Sequence, residues 1–232
     1  MKIAVISDIH GNVDALSTFF KDVTTENVDT IICLGDLVGY GPYPNEVISM
    51  IREKHILCIK GNYDNSVVDN EYSYIRETTL NSFSLPWTVN ELTEENRLFL
   101  QNLPSTIALT IEGKELLFVH GSPYKINEYL LKDAHNTLNI MNSINEDILF
   151  CAHTHLPDIK QFSNKMYINC GSIGKPKIGR PNITYCLFNI DVETGISANI
   201  KEISYDFKNL VEHMNELNFP NELIYSFKNG LE

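Results

Sequence analysis

Lys2-Ile3-Ala4-Val5-Ile6-Ser7-Asp8-Ile9-His10 is an apolar run that delivers two metal-type side chains at its exit. The arrangement recurs along the chain. Run 31–34 leads into Gly35-Asp36, run 56–59 into Gly61-Asn62-Tyr63-Asp64, run 116–119 into His120, and run 148–151 towards His153-Thr154-His155. A strand end aims its next side chains into the crevice beyond the sheet, where α/β proteins bind ligands. Strand exits carrying only Asp, Asn and His predict a metal site. His153 and His155 are two apart, so in an extended strand they would share a face and serve adjacent metals.

Around these exits, strand and helix patterns alternate up to Asp64. A strand over 2–6 precedes a helix near 13–25. A strand over 30–34 precedes a helix near 44–54, where Pro44 suits the first turn and Asn45 and Glu46 suit the dipole. A strand over 56–59 follows, and the βαβαβ order implies a parallel sheet. Residues 66–103 show little strand pattern and read as a helical insertion beside the crevice. Thr93 followed by Glu94 and Glu95 marks a helix start there. Segments 106–111 and 115–120, joined by Glu112-Gly113-Lys114, read as a hairpin. A helix near 133–144 leads to a strand over 147–151. Further strands are expected near 159–162, 165–169, 183–191 and 196–204. Phe207, Leu210, Val211, Met214 and Leu217 recur at helical spacing. They predict an amphipathic helix packed on the sheet, within a C-terminal helical segment about 206–229. The whole of 1–232 reads as one domain of two packed sheets and flanking helices.

At 43% hydrophobic and 21% charged, the 232 residues are ordinary globular material. The net charge of -12 disfavours duplex nucleic acid as a partner. It leaves small nucleotides open, because a metal centre sets its own local field. Cys33, Cys58, Cys151, Cys170 and Cys186 are odd in number and form no CxxC pair. They read as reduced core residues of a cytoplasmic protein. Cys151 and Cys170 lie near the motifs and are alternative sulfur ligands. The N-terminal apolar run is too short for a signal segment. No apolar stretch approaches the ~20 residues of a membrane span, so no membrane partner is expected. The oligomeric state is left open.

The order DxH, GDxxG, GNxD, strand-end His and HxH resembles the calcineurin-like metallophosphoesterase superfamily over roughly residues 1–190. Gly35-Asp36-Leu37-Val38-Gly39-Tyr40-Gly41-Pro42, His120-Gly121-Ser122-Pro123 and Asn169-Cys170-Gly171-Ser172-Ile173-Gly174 resemble its small bacterial and archaeal phosphodiesterase branch. The resemblance implies an α/β fold, a four-layer α/β/β/α sandwich of two mixed β-sheets flanked by helices. It implies that Asp8, His10, Asp36 and His155 hold one metal, and that Asp36, Asn62, His120 and His153 hold another, with Asp36 bridging. The catalytic set it implies is Asp36, Asn62, Tyr63, Asp64 and His120. Two divalent ions carry four positive charges. Asp8 and Asp36 cancel two, and a metal-bridging hydroxide cancels one more. The remaining charge attracts an anionic phosphate. Mixed imidazole and carboxylate ligands suit Mn, Fe, Co, Ni or Zn better than Ca, with Mn favoured.

Three positions depart from the superfamily pattern. Tyr63 stands where a His is usual, Ala152 where a Gly precedes HxH, and Cys170 where a Pro is usual. The His normally helps protonate the leaving group. Tyrosine, with a reference pKa near ~10, is a poorer acid at neutral pH. Alkyl monoesters should therefore react slowly. Phosphodiesters with activated leaving groups and phosphoanhydrides need less help, and dinucleoside polyphosphates fit. The alternatives are a phosphomonoesterase, acting on a protein or nucleotide, and a non-catalytic metal-binding scaffold. The expected partner is a small phosphorylated substrate, a nucleotide among the candidates. Lys175 and Arg180 follow the Gly171–Gly174 loop and are candidates to grip its phosphate, or else solvated charges. Asp64 either orients a ligand or caps the next helix. Gly39, Gly41, Gly171 and Gly174 either cradle phosphate or form turns. Tyr40 and Tyr124 either stack on a base or sit on the rim. His55, His135 and His213 lie in polar stretches and read as surface residues.

Overall fold

β1 (Lys2–Ile6) is apolar on both faces, and this sets the layering. In the computed structural model, which describes residues 1–232, Ile3 and Val5 enter one core while Ala4 and Ile6 enter another. Successive strand side chains point to opposite faces, so one strand serves both. Ala4 and Ile6 pack with Leu16 and Phe19 of α1 (Val13–Val23) and with Val47 and Ile51 of α2 (Pro44–Glu53). Ile3 and Val5 face a second sheet.

The first sheet holds β1, β2 (Thr30–Cys33), β3 (Leu57–Cys58), β9 (Ile183–Asp191) and β10 (Gly195–Ile203), in the order β10-β9-β1-β2-β3. β1 runs parallel to β2 and antiparallel to β9. The second sheet holds β4 (Thr106–Ile111), β5 (Lys114–Val119), β6 (Ile148–Cys151), β7 (Asp158–Phe162) and β8 (Lys165–Asn169), in the order β4-β5-β6-β8-β7. It too is mixed, parallel at β5–β6–β8 and antiparallel at both edges. Phe150 joins the sheets, stacking on Phe118 at 4.5 Å and meeting Phe188 of β9 edge-on at 5.1 Å. On the outer face of the second sheet, Leu149 and Cys151 pack under Ile140 and Met141 of α6 (His135–Ser143). The result is the expected helix–sheet–sheet–helix sandwich.

Helices α3 (Asn62–Asp69), α4 (Thr79–Glu91) and α5 (Glu94–Asn102) lie between β3 and β4. Thr93 caps α5 by accepting from Asn96 N. The run expected as a strand over 56–59 registers with β2 only at Leu57 and Cys58. Ile56 N turns back to Ile51 O, while Ile59 N still donates to Cys33 O of β2 at 3.0 Å.

The C-terminal segment corrects one expectation. It forms two helices, α7 (Lys208–Glu216) and α8 (Asn221–Asn229), split at Asn218, whose φ is 57°. Leu210 and Met214 of α7 join Leu223 and Phe227 in a separate core against Phe83 and Trp87 of α4. Leu210, Val211 and Met214 therefore meet α4 and α8, while Phe207 packs against the core that holds α1 and Leu217 is exposed. No helix is long and apolar enough to cross a membrane.

Candidate metal centre

The exits of β1, β2, β5 and β6 converge on one rim. Five of the side chains they deliver sit on backbone with left-handed φ: Asp8 (52°), His10 (48°), Asp36 (53°), His153 (66°) and His155 (61°). Such φ values are uncommon outside glycine. The loops hold one another in this shape. Asp8 N donates to Gly35 O at 3.0 Å, and Ile9 N and His10 N both donate to Asp36 O, at 2.8 and 2.9 Å. A Cβ on Gly61 would overlap Asp36 N and Oδ1, so the approach of these loops requires a glycine there. β6 ends at Cys151, so His153 and His155 do not alternate along an extended strand as expected. They reach their places through a turn at positive φ.

The ligand-type atoms form two buried groups, Asp8–His10–His155 and Asp36–His120–His153, each with its atoms within 4.8 Å of one another. Asn62 Oδ1 lies 2.9 Å from His120 Nε2 and so stands at the second group. Asp36 Oδ2 lies 3.2 Å from His120 Nε2 and 3.7 Å from His10 Nε2, between the groups. The histidines are oriented by backbone carbonyls. His10 Nδ1 meets Val38 O at 2.9 Å, His120 Nδ1 meets Leu34 O at 2.8 Å, and His155 Nδ1 meets Lys175 O. Each bond turns Nε2 towards the ligand groups, a common arrangement around bound metals; at His120 that atom meets Asn62 Oδ1 and Asp36 Oδ2 and must give up its proton to ligate. His153 is turned the other way, with Nε2 on Asn127 O at 3.1 Å. Asp8 Oδ1 is buried with no hydrogen-bond partner, and the buried Asp36 Oδ2 is answered only by the His120 imidazole. Unpaired buried carboxylate oxygens are costly. Divalent cations in the two groups would satisfy both, so the donor set fits a pair of metal ions.

The ionisation pattern favours metal at three histidines and sets a proton against it at His120 and Asp8. Burial lowers His10 to about 4 against the opposing pull of Asp36. Burial, then the His120 charge, lowers His153 to about 3, and burial, then Lys177, holds His155 well below its usual value. These three rings are neutral at pH 7, the form that ligates. Burial opposes the His120 cation, yet the Asp36 charge raises its pKa to about 10. Burial works to raise Asp36, but His120 and its other imidazole neighbours bring it down to about 2. Burial raises Asp8 to about 7.

Asp64 caps the next helix and also ties two loops together. Its Oδ2 accepts from Gly61 N at 3.0 Å, within the first turn of α3. Its Oδ1 accepts from Leu37 N and Val38 N, tying the Asp36 loop to the Asn62 loop. Burial, then the neighbouring Asp36, raises it to about 7.

A cavity of about 380 Å³ opens over both groups. His153, His155, Asn62, Tyr63, Tyr40 and Lys175 all line it. The Tyr63 hydroxyl donates to Asn81 Oδ1 at 2.7 Å and is also hydrogen-bonded to the Tyr40 hydroxyl. Burial, then Tyr40, pushes its pKa well above the usual phenol value. Lys175 is 1% exposed, and its Nζ donates to Leu231 O at 3.1 Å. Arg180 is not brought to the cavity; its guanidinium is exposed and paired with Glu202. Tyr124 is likewise outside, bound to Ser143. Gly174 N donates to Asp8 O, so that loop braces the β1 exit. Ala152 and Cys170 lie in the core between the sheets, and all five cysteines are buried and free. Arg76, Asn81, Asn127, Tyr129 and Lys177 also line the cavity, though sequence patterning did not single them out. Only Lys177, two residues beyond Lys175, carried a usable signal.

Comparison with known proteins gives concordant matches. Residues 1–193 match the calcineurin-like phosphoesterase superfamily domain. An uncharacterized protein of Methanocaldococcus jannaschii is 33% identical, over 94% of this chain and 93% of its own length. Phosphodiesterase YfcE of Escherichia coli K12 is 26% identical, over 88% of this chain and 95% of its own. A metallophosphoesterase from Sphaerobacter thermophilus superposes with a TM-score of 0.81 at 25% identity, over 100% of this chain and 99% of the other. The chain belongs to the calcineurin-like phosphoesterase superfamily and is a metal-dependent phosphoric ester hydrolase.

Proposed function

We propose that this calcineurin-like phosphoesterase works with two metal ions on phosphodiesters or phosphoanhydrides, of the dinucleoside polyphosphate type. The observation that carries the reading is the place of Asp36, whose buried Oδ2 faces His120 of its own group and His10 of the other. In this reading Asp8, His10, Asp36 and His155 hold one ion, and Asp36, Asn62, His120 and His153 hold the other. Two divalent transition-metal ions, manganese foremost, would supply Lewis-acid polarisation of the phosphoryl oxygens and a water of lowered pKa.

The chain's own residues do the rest. The carbonyls of Val38, Leu34 and Lys175 fix three imidazole rings, so the donors need little reorganisation on binding. Lys175 lines the cavity with a buried ammonium whose pKa burial brings down to about 7. Tyr63 shapes the substrate class. Its proton is committed to Asn81 and its pKa is raised, so it offers little acid to a departing alkoxide. Aryl esters and anhydrides leave without that help. The likeness to a protein named a phosphodiesterase supports the same class. Buried, unpaired cysteines support a reducing, cytoplasmic setting.

The test is metal analysis joined to a substrate panel in added Mn. About two metal equivalents, with bis-p-nitrophenyl phosphate and dinucleoside tetraphosphate hydrolysed faster than glycerol phosphate, are expected. Faster turnover of glycerol phosphate would reject the substrate class. Failure to bind metal after reconstitution would reject the enzyme reading.

A further inference from the structure

We propose that Arg76 and Lys177 form a subsite for a second phosphoryl group beside the one at the ligand groups, and that the Glu232 side chain occupies it as an internal stand-in. The inference rests on the phosphoesterase reading above and names the substrate as an anion with at least two linked phosphoryl groups.

Both cations line the same cavity as His153 and His155. A single oxygen, Glu232 Oε1, lies between them, 3.2 Å from Arg76 Nη1 and 3.8 Å from Lys177 Nζ. A phosphoryl oxygen is the natural ligand of such a pair, since it accepts several charge-assisted bonds at once. The surrounding charge supports this. The chain carries 30 acidic and 18 basic residues, yet Arg76, Lys175 and Lys177 meet at this cavity with Glu232 the one carboxylate lining it. Lys177 is poorly served as it stands. Its side chain is 15% exposed, burial lowers its pKa, and its sole carboxylate partner is the long contact to Glu232. A partly desolvated cation without a close anion is unfavourable.

The position excludes the scissile group itself. That group belongs at the buried Asp and His donors, whereas the Arg76 side chain is 69% exposed at the rim. A diester with one phosphate has no charge left for Arg76. A chain of phosphates runs from the donors past Lys177 to the rim. Glu232 is easily displaced, because its side chain is 62% exposed and surface pairs contribute little.

The test uses Arg76→Ala, Lys177→Ala and Glu232→Gln. Binding of inorganic tripolyphosphate to metal-free protein is measured by calorimetry, with thermal melts to confirm folding. Loss of one charge-assisted contact should weaken binding about tenfold or more for Lys177→Ala, and about two- to fivefold for the exposed Arg76→Ala. Glu232→Gln should tighten it, and Arg76→Lys should recover part of the loss. In Mn-loaded protein, the kcat/KM ratio of dinucleoside tetraphosphate to bis-p-nitrophenyl phosphate should fall about two- to fivefold in Arg76→Ala, through KM. An unchanged tripolyphosphate affinity, or an unchanged substrate ratio, overturns the subsite. If neither ester is turned over, the phosphoesterase reading fails, and the calorimetry alone decides the subsite.

Discussion

The Nε2 atoms of His10 and His155 face each other at 3.4 Å, while both Nδ1 atoms are tied to carbonyls, of Val38 and Lys175. With both Nδ1–H groups donating, both Nε2 atoms present lone pairs. Asp8 Oδ1 lies 3.7 Å from the first and 3.4 Å from the second. Once Asp8 has lost its proton, three acceptors converge on one point and no protein donor answers them. Rings that stack at 20° with centroids 5.0 Å apart are held in this mutual opposition by the fold. A cation turns the arrangement from repulsive to favourable.

Asp36 joins the two groups, so Asp36→Asn should lower metal content at both. Replacing even an outer partner of a ligand typically costs 10–100-fold. Turnover should therefore fall at least about 100-fold with the fold intact. Metal analysis and circular dichroism check this. Full metal content with wild-type turnover would exclude a bridging role.

His153 and His155 should fail differently. His155→Ala removes a donor from the Asp8–His10 group, and His153→Ala removes one from the Asp36–His120 group. Anomalous scattering from metal-soaked crystals of each variant should show the loss at opposite sites. An absence of metal within ~2.5 Å of either wild-type imidazole would refute both assignments, since such bonds run near ~2.0–2.1 Å for zinc.

Metal binding should strengthen as pH rises through neutrality. Asp8, raised by burial to about 7, holds its proton below that pH, and His120 keeps one to about 10. An incoming ion must displace both protons. For Asp8 the folded pKa lies above the unfolded 3.8, so its contribution favours the folded metal-free protein at low pH and is lost as pH rises towards 7. The Mn-induced rise in Tm should be larger near pH ~8 than near pH ~6. An equal or smaller rise at the higher pH would contradict these protonation states.

Tyr63→His should change which esters react. A positioned acid contributes about 10²–10⁴-fold where the leaving group is a poor one. Glycerol phosphate hydrolysis should rise more than that of bis-p-nitrophenyl phosphate, at matched metal content. Tyr63 is wedged beside Gly39, where a Cβ would strike its ring, so the smaller imidazole fits. An unchanged ratio of the two kcat/KM values would mean that the ring at this position does not reach the leaving oxygen.

The gathering of the candidate ligands was legible because most lie close behind an apolar strand, and a strand end fixes where the next side chains go. Asp8, Asp36 and His120 needed nothing more. The HxH pair shows the limit of that rule. A spacing of two was read as pleat, but the backbone leaves the strand at Cys151 and turns. Arg180 was drawn towards the phosphate by its nearness to the Gly171–Gly174 loop. Glu202 captures it, because β9 and β10 pair with Ile203 opposite Ile183. Arg76 and Tyr129 reach the cavity from segments with no periodic signal, and only the tertiary fold brings them there. The C-terminal stripe announced an apolar face but not its partner, since periodicity says that a face is covered and not by what.

The left-handed backbone at Asp8, His10, Asp36, His153 and His155 has a consequence for how such a protein changes over time. Backbone held in sparsely populated regions costs about 1–3 kcal/mol per residue. Glycine relieves that cost at each position and removes a donor in the same step. For the metal-free protein, loss of the ligand set is thus not a neutral decay but a path down in free energy. A descendant no longer selected for hydrolysis would hold its metal-free form more easily as it shed its donors, and would forgo the stabilisation that bound metal gives. The hydrolytic site persists only while its chemistry is under selection.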